Sequence, residues 1–200
     1  MNINIGLLYP SRLSLYGESA NAKALQYYLK KQEIDASIEA IDDLGTVDLK
    51  KYDFLYMGSG LESGLKFAAA NLFQNKDKIS EYIDADGYFL VTGNAMSALK
   101  HFNYFKFKEN DDYLVADVTG KYISSNDDIR AFQNTKYLVI GTKNPVFDIY
   151  EGYGNDGSKQ EGFRHKNLIV TSLIGPILAI NAGLRNYFVD RIKESHGTTR

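Results

Sequence analysis

Two stretches decide the fold: residues 52–61, YDFLYMGSGL, and residues 88–95, YFLVTGNA. Each is a short apolar run ending in a glycine-containing turn, the pattern of a strand covered on both faces. Working outward, Asn2–Tyr9 is a similar run bounded by Pro10, and Pro10–Gly17 reads as a loop. Glu18–Gln32 follows with Ala22, Leu25, Tyr28 and Leu29 at helical spacing, and Lys30 and Lys31 lie where the helix dipole favours cations. Ile34–Ile41 alternates as a second strand, Leu61–Ile83 is helical with a break near Asn75–Asp77, and a helix runs from Ala95 to about His101. Alternating strands and helices predict βαβ units in a parallel sheet.

Beyond residue 102 the pattern changes. Tyr113–Val118, Lys121–Ser125, Lys136–Thr142 and Phe147–Tyr153 read as closely spaced strands, antiparallel additions beside the main sheet. Asn167–Leu173 is another buried strand, and Leu178–Ser195 a closing helix. The fold expected is an α/β three-layer sandwich, flavodoxin-like in outline, with a mostly parallel central sheet plus extra antiparallel strands. One domain spans residues 1–195, and a polar, frayed tail covers 196–200. No internal repeat or low-complexity tract interrupts it.

Composition limits the chemistry. The 200 residues carry a net charge of -2, which gives no bulk attraction to nucleic acid or anionic lipid. The apolar runs are too short for a membrane span, and the opening MNINIGLLYP lacks a secretory pattern, so a cytoplasmic location is expected. There is no cysteine, which removes disulfides, thiolate metal sites and every cysteine-nucleophile mechanism. With only His101, His165 and His196, no metal site and no cofactor are expected.

Three strand ends open into glycine turns: Tyr16-Gly17-Glu18-Ser19, Gly58-Ser59-Gly60-Leu61 and Thr92-Gly93-Asn94-Ala95. Ligands of open parallel sheets bind at that edge, which makes Gly58, Ser59, Gly60, Gly93 and Asn94 ligand-binding candidates, although glycines also serve merely to allow tight turns. Thr92 stands where a nucleophile elbow would present a side chain, yet a threonine hydroxyl needs a base and no histidine falls beside it. An ordinary turn residue is the simpler reading. The pairs Asp42-Asp43, Asp111-Asp112 and Asp127-Asp128 read as solvated loop charge rather than cation ligands, and Lys30-Lys31 and Lys50-Lys51 as surface.

In order along the chain, INIGLLYPSRLSLYGESANAKAL (3–25), YMGSGLE (56–62), FLVTGNAMSAL (89–99), IYEGYGNDGSKQEG (149–162) and NLIVTSLIGPIL (167–178) resemble a known family. It is the class I glutamine amidotransferase domain of the cobyric-acid-synthase-like type, in the branch of the glutaminase subunits of lipid II isoglutaminyl synthase. The resemblance implies a glutaminase in which a cysteine at the elbow, in the pattern Cys-Gly-Gly, attacks the glutamine amide. A histidine in a Leu-His-Gly-Pro turn serves as base, and ammonia passes to a Mur-ligase-like synthetase partner of cell-wall synthesis. Here the elbow reads Thr92-Gly93-Asn94, the base turn Leu173-Ile174-Gly175-Pro176, and the Gly-Gly-Gly-Gln oxyanion turn Gly58-Ser59-Gly60-Leu61. The nucleophile position thus holds Thr92 and the base position Ile174.

Three readings stand. In the first, the chain has lost the glutaminase chemistry and is a non-catalytic binding, scaffolding or regulatory subunit of a synthetase. In the second, the site is rebuilt as an amidohydrolase with Thr92 or Ser59 as nucleophile and Glu62 or His165 as base. In the third, a flavodoxin-like binder cradles a phosphate in the Ser14–Asn21 loop, against which Glu18 would repel the anion.

Overall fold

Successive residues of a strand point to opposite faces, and the central runs here fill both. Phe54 and Tyr56, with Tyr88 and Leu90, join one hydrophobic cluster; Leu55 and Met57, with Phe89 and Val91, join the other. The computed structural model describes residues 2–141 and 143–197. Its main sheet has the order β2-β1-β3-β4-β10-β9, from β1 (Asn2–Leu8), β2 (Asp35–Ile41), β3 (Phe54–Met57), β4 (Tyr88–Thr92), β9 (Phe163–His165) and β10 (Leu168–Thr171). Every neighbour pair is parallel except β9 with β10.

Helix α1 (Ala20–Lys31) buries Ala22, Leu25 and Leu29 on one face of the sheet, alongside Phe188, Val189 and Ile192 of α5 (Ala182–Ser195). On the other face lie α2 (Glu62–Gln74) and α3 (Lys76–Asp84), through Leu65, Ala68, Leu72, Ile79 and Ile83. These two helices meet at Asn75, within the break expected from sequence. The three layers and mostly parallel sheet are those expected. Among the described residues no helix is long and apolar enough to cross a membrane.

The second half departs from the sequence reading in detail. β5 (Lys106–Tyr122) and β6 (Asp127–Ile140) form one long hairpin in a second, antiparallel sheet of order β11-β6-β5-β7-β8. The remaining strands are β7 (Phe147–Glu151), β8 (Gln160–Glu161) and β11 (Leu173–Ile174). The expected strands 113–118 and 121–125 are parts of β5, and 136–142 is the end of β6. Asp111-Asp112 and Asp127-Asp128 are therefore strand residues, not loop residues. A register shift between Glu109 and Leu114 takes up the first pair. Asp127 packs against Gly183 in the first turn of α5, where the helix dipole favours a carboxylate.

The helix expected from Ala95 is a 3-10 segment, Gly93–Leu99, and the closing helix is split into α4 (Ile177–Ile180) and α5 by an extended Asn181. Asn181 Oδ1 accepts from the Arg130 N–H at 2.8 Å while Nδ2 donates to Arg130 O at 2.8 Å, so one amide side chain clamps both backbone groups of one residue. Asn155, in the Tyr-Gly-Asn-x-Gly segment, clamps Gly162 in the same way, and Gln133 clamps Tyr153. Residues 198–200 of the expected frayed tail lie outside the described residues; His196 Nε2 sits 2.7 Å from Asp53 Oδ1.

Candidate functional site

The carboxyl ends of β3 and β4 run side by side, and their turns interlock. Asn94 Oδ1 accepts from Gly60 N–H at 3.1 Å and Asn94 Nδ2 donates to Gly60 O at 2.9 Å, a fourth amide clamp. Gly93 has φ +61°, and a Cβ there would collide with Ser59 Oγ and come within 2.6 Å of Ile174 Cγ2. The candidates Gly58, Ser59, Gly60, Thr92, Gly93, Asn94 and Ile174 thus come together. The backbone N–H of Gly60, however, is already used by Asn94.

What fills their centre is a residue the sequence reading named only within the first turn and as a charge that would repel an anion from the Ser14–Asn21 loop, not among the ligand-binding candidates. Glu18, fully buried, reaches in from the loop between β1 and α1. Ser59 N–H donates to its Oε2 at 2.6 Å, and the hydroxyls of Ser59 and Thr92 donate to Oε1 at 3.0 and 3.1 Å. The loop that delivers it is firmly seated. Tyr9 ends β1 with φ 53°, its carbonyl accepts from the N–H groups of Arg12 and Leu13, and Leu15 N–H donates to Ser59 O at 3.1 Å. Only a glycine at 60 lets this loop approach so closely, because a Cβ would lie 2.9 Å from Arg12 O.

Proton directions follow from the one group that can only donate. Asn21 Nδ2 donates to the Tyr56 hydroxyl at 2.9 Å, so Tyr56 donates to Thr92 Oγ1 at 2.8 Å, and Thr92 donates to Glu18. Asn21 also binds the base turn, donating to Gly175 O at 3.0 Å and accepting from Leu178 N–H at 2.8 Å. Burial pushes the Glu18 carboxyl up to about 6, against hydrogen bonds from Ser59, Thr92 and the Tyr16 backbone that pull it down. Burial, and then the neighbouring Glu18 charge, holds the Tyr56 phenol well above its ordinary value.

A carboxyl that titrates higher folded than unfolded makes the native state the better proton binder. Its contribution to stability is full below about pH 4.5 and is lost as pH rises through about 6. Glu18→Gln is expected to abolish that segment of the stability–pH curve, a difference on the order of 2 kcal/mol between pH 4 and 7. Urea unfolding of both proteins across this range checks it; parallel curves would refute the buried titration.

As a nucleophile, Thr92 is poorly set. Its backbone is extended, φ -120° and ψ 149°, without the strain of an elbow, and its side chain is fully buried. Neither base suggested by the sequence reaches it. Glu62 is exposed and paired with Lys66 at 2.7 Å, while His165 stacks on Tyr104 near the start of β10, whose opposite end, Thr171, is in register with Thr92. Ile174, 3% exposed, presents an apolar wall. The phosphate reading fails on the same contact: Glu18 occupies the place between loop and turn that an anion would need.

A second buried carboxylate was also missed. Glu161 accepts from Thr171 Oγ1 at 2.6 Å, Ser172 N–H at 2.7 Å and Ser172 Oγ at 2.8 Å, tying β8 of the second sheet to the end of β10. Burial raises its pKa. The only signal in sequence was a pair of hydroxyls, Thr171-Ser172, inside an otherwise apolar run. Outside these networks a cleft of about 420 Å³, lined by Tyr16, Leu61, Glu109, Tyr113 and Lys136, touches Gly60 and Asn94 but not Thr92, Ser59 or Glu18.

No family model matches the sequence. The chain is similar to the GatD subunit of lipid II isoglutaminyl synthase (glutamine-hydrolyzing) from Streptococcus pneumoniae, 22% identical over 214 residues, covering 98% of this chain and 82% of that protein. It is similar also to the Staphylococcus aureus GatD subunit, 25% identical over 209 residues and covering 93% and 82%. Among solved structures it matches a chain of PurLQS from Thermotoga maritima with TM-score 0.62 at 14% identity, covering 98% of this chain and 99% of that one. A glutamine amidotransferase from the same organism matches with TM-score 0.56 at 10% identity, covering 96% and 83%. The expected fold and the resemblance to class I glutamine amidotransferases both hold over nearly the whole chain.

Proposed function

We propose that this chain is a glutamine-amidotransferase-like subunit that does not hydrolyse glutamine, and that it serves a Mur-ligase-like synthetase in the cytoplasm as a binding or regulatory component. The observation that carries the reading is the Glu18 carboxylate, seated on the donors of the oxyanion turn and on the hydroxyl at the nucleophile position. A glutamine amide would need that same space. Beside it, Ile174 can neither take nor give a proton. Loss of a nucleophile–base unit costs several powers of ten in rate, and the Ser59 and Gly60 N–H donors of the oxyanion turn are already bound to Glu18 and Asn94. The GatD relatives are subunits of a glutamine-hydrolyzing synthase, which supports the partner.

One contact favours a rebuilt enzyme, the 3.1 Å hydrogen bond from Thr92 Oγ1 to Glu18, which has the form of a nucleophile–base pair. Burial argues against it. Both side chains are sealed from solvent, and the nearest cleft ends at Gly60 and Asn94. Ammonia release from glutamine, by the chain alone and with the synthetase, is expected to equal that of a Thr92→Ala variant. Turnover of about 1 s⁻¹ or faster that Thr92→Ala abolishes would overturn the proposal.

A further inference from the structure

We propose that a cleft beside β9, between the 123–124 turn, the 143–148 segment and residues 160–166, receives a phosphate group carried on a small organic molecule. It shares no residue with the site at Thr92, and the inference stands whether or not glutamine is hydrolysed there. The cleft measures about 630 Å³ and is lined by Lys143, Gln160, Arg164 and Lys166, with Ile123 and Pro145 as an apolar wall. A space of that size takes an organic body as well as an anionic head. Its walls are joined through the backbone, since Ile123 N–H donates to Val146 O at 3.0 Å and Arg164 N–H to Asn144 O at 2.8 Å.

Arg164 sets the chemistry. The half-buried guanidinium rests on neutral partners: Nε donates to Lys166 O at 2.8 Å, Nη1 to Ser124 Oγ at 3.3 Å, and the Tyr187 ring lies beneath, 5.3 Å away. Only two of its five N–H donors are spent on these hydrogen bonds. Among the described residues neither Arg164 nor Lys143 pairs with a carboxylate, whereas Lys166 is held 3.3 Å from Asp84. Asp148 is the one acid on the lining, and it accepts from Gln160 Nε2 at 3.5 Å, so positive charge is in excess. Behind the wall the buried Tyr122 hydroxyl, with Ser124, Tyr187 and Arg164 as polar neighbours, has no hydrogen-bond partner among the described residues. A guanidinium fork with spare donors, and a lysine in the same cleft, match the oxygens of a phosphate dianion better than a single carboxylate.

Phenyl phosphate is the probe, with inorganic phosphate and benzoate as controls. At about 5 mM and pH 7.5, phenyl phosphate is expected to raise the melting temperature of the intact protein by about 2–4 °C over chloride of equal ionic strength, inorganic phosphate by less, and benzoate not at all. Arg164→Lys keeps the charge and loses the fork, and calorimetric titration is expected to show phenyl phosphate bound about tenfold more weakly. Because Arg164 also braces Ser124 and Tyr187, the exposed Lys143 supplies the second variant. Lys143→Ala is expected to weaken binding about three- to tenfold while melting like the intact protein without ligand, and it decides alone if Arg164→Lys does not fold. An intact protein blind to phenyl phosphate, benzoate or inorganic phosphate as effective as phenyl phosphate, or unchanged binding by Lys143→Ala overturns the proposal.

Discussion

Gly93→Ala is expected to destabilise the protein by about 3 kcal/mol or more and to disorder the candidate site along with it. Two costs add. An L-residue at φ +61° sits in the left-handed region, a penalty of roughly 1–2 kcal/mol. The new methyl group would also be driven into Ser59 Oγ and against Ile174 Cγ2, and both residues are buried with little room to yield. Ser59 gives way first, because it is a single side chain at a turn, and its rotation takes its hydroxyl hydrogen bond from Glu18. Chemical denaturation measures the loss. A second signature is specific to the site: with that donor gone, the Glu18 carboxyl is expected to titrate higher than in the intact protein, observable by carboxyl-selective NMR. A variant within 1 kcal/mol of the intact protein would mean that the turn adjusts freely.

Glu161→Ala is the other large effect, a loss on the order of 4 kcal/mol from a domain whose whole stability is about 5–15 kcal/mol. Removal of the carboxylate leaves the hydroxyls of Thr171 and Ser172 and the Ser172 N–H without an acceptor in a fully buried place. Those hydroxyls cannot simply turn away. Thr171 Oγ1 already accepts from Leu173 N–H at 3.1 Å and Ser172 Oγ from Gln133 Nε2 at 2.7 Å, so their protons are committed to Glu161. Glu161→Gln is expected to lose less, about 2 kcal/mol, because its side-chain oxygen can keep both Ser172 donors while its NH2 is left facing the committed Thr171 hydroxyl. Urea midpoints of the two variants test this. Equal losses would show that the charge, not the hydrogen-bond geometry, joins the two sheets.

The difference between what could and could not be read in advance has a physical origin. Strands β3 and β4 are buried on both faces, so their whole sequence is apolar and their glycine turns stand out. The hairpin was read as fragments because Lys106–Asp117 is exposed or half-exposed at every position, and a strand with no buried face has no alternation to detect. At the site, residues on the turns themselves were legible, since glycine, threonine and asparagine at strand ends mark the carboxyl edge of the sheet. Glu18 was not. Between Gly17 and Ser19 it has the look of a solvated helix start, and its partners Ser59 and Thr92 lie 41 and 74 residues away. No local pattern encodes a contact of that range. The substitution at Ile174 was visible only through the resemblance, because an isoleucine before Gly-Pro signals nothing by itself.

The four amide clamps, at Asn94, Gln133, Asn155 and Asn181, have a consequence for how the molecule recovers from local fluctuation. A chain without thiols cannot lock its loops covalently, and here side-chain amides copy the pairing of one strand with another at places where no strand runs. Each tie can part and re-form alone, with no oxidant, enzyme or partner to assist. The irregular ends of the molecule therefore heal themselves after a transient opening, in any redox surroundings.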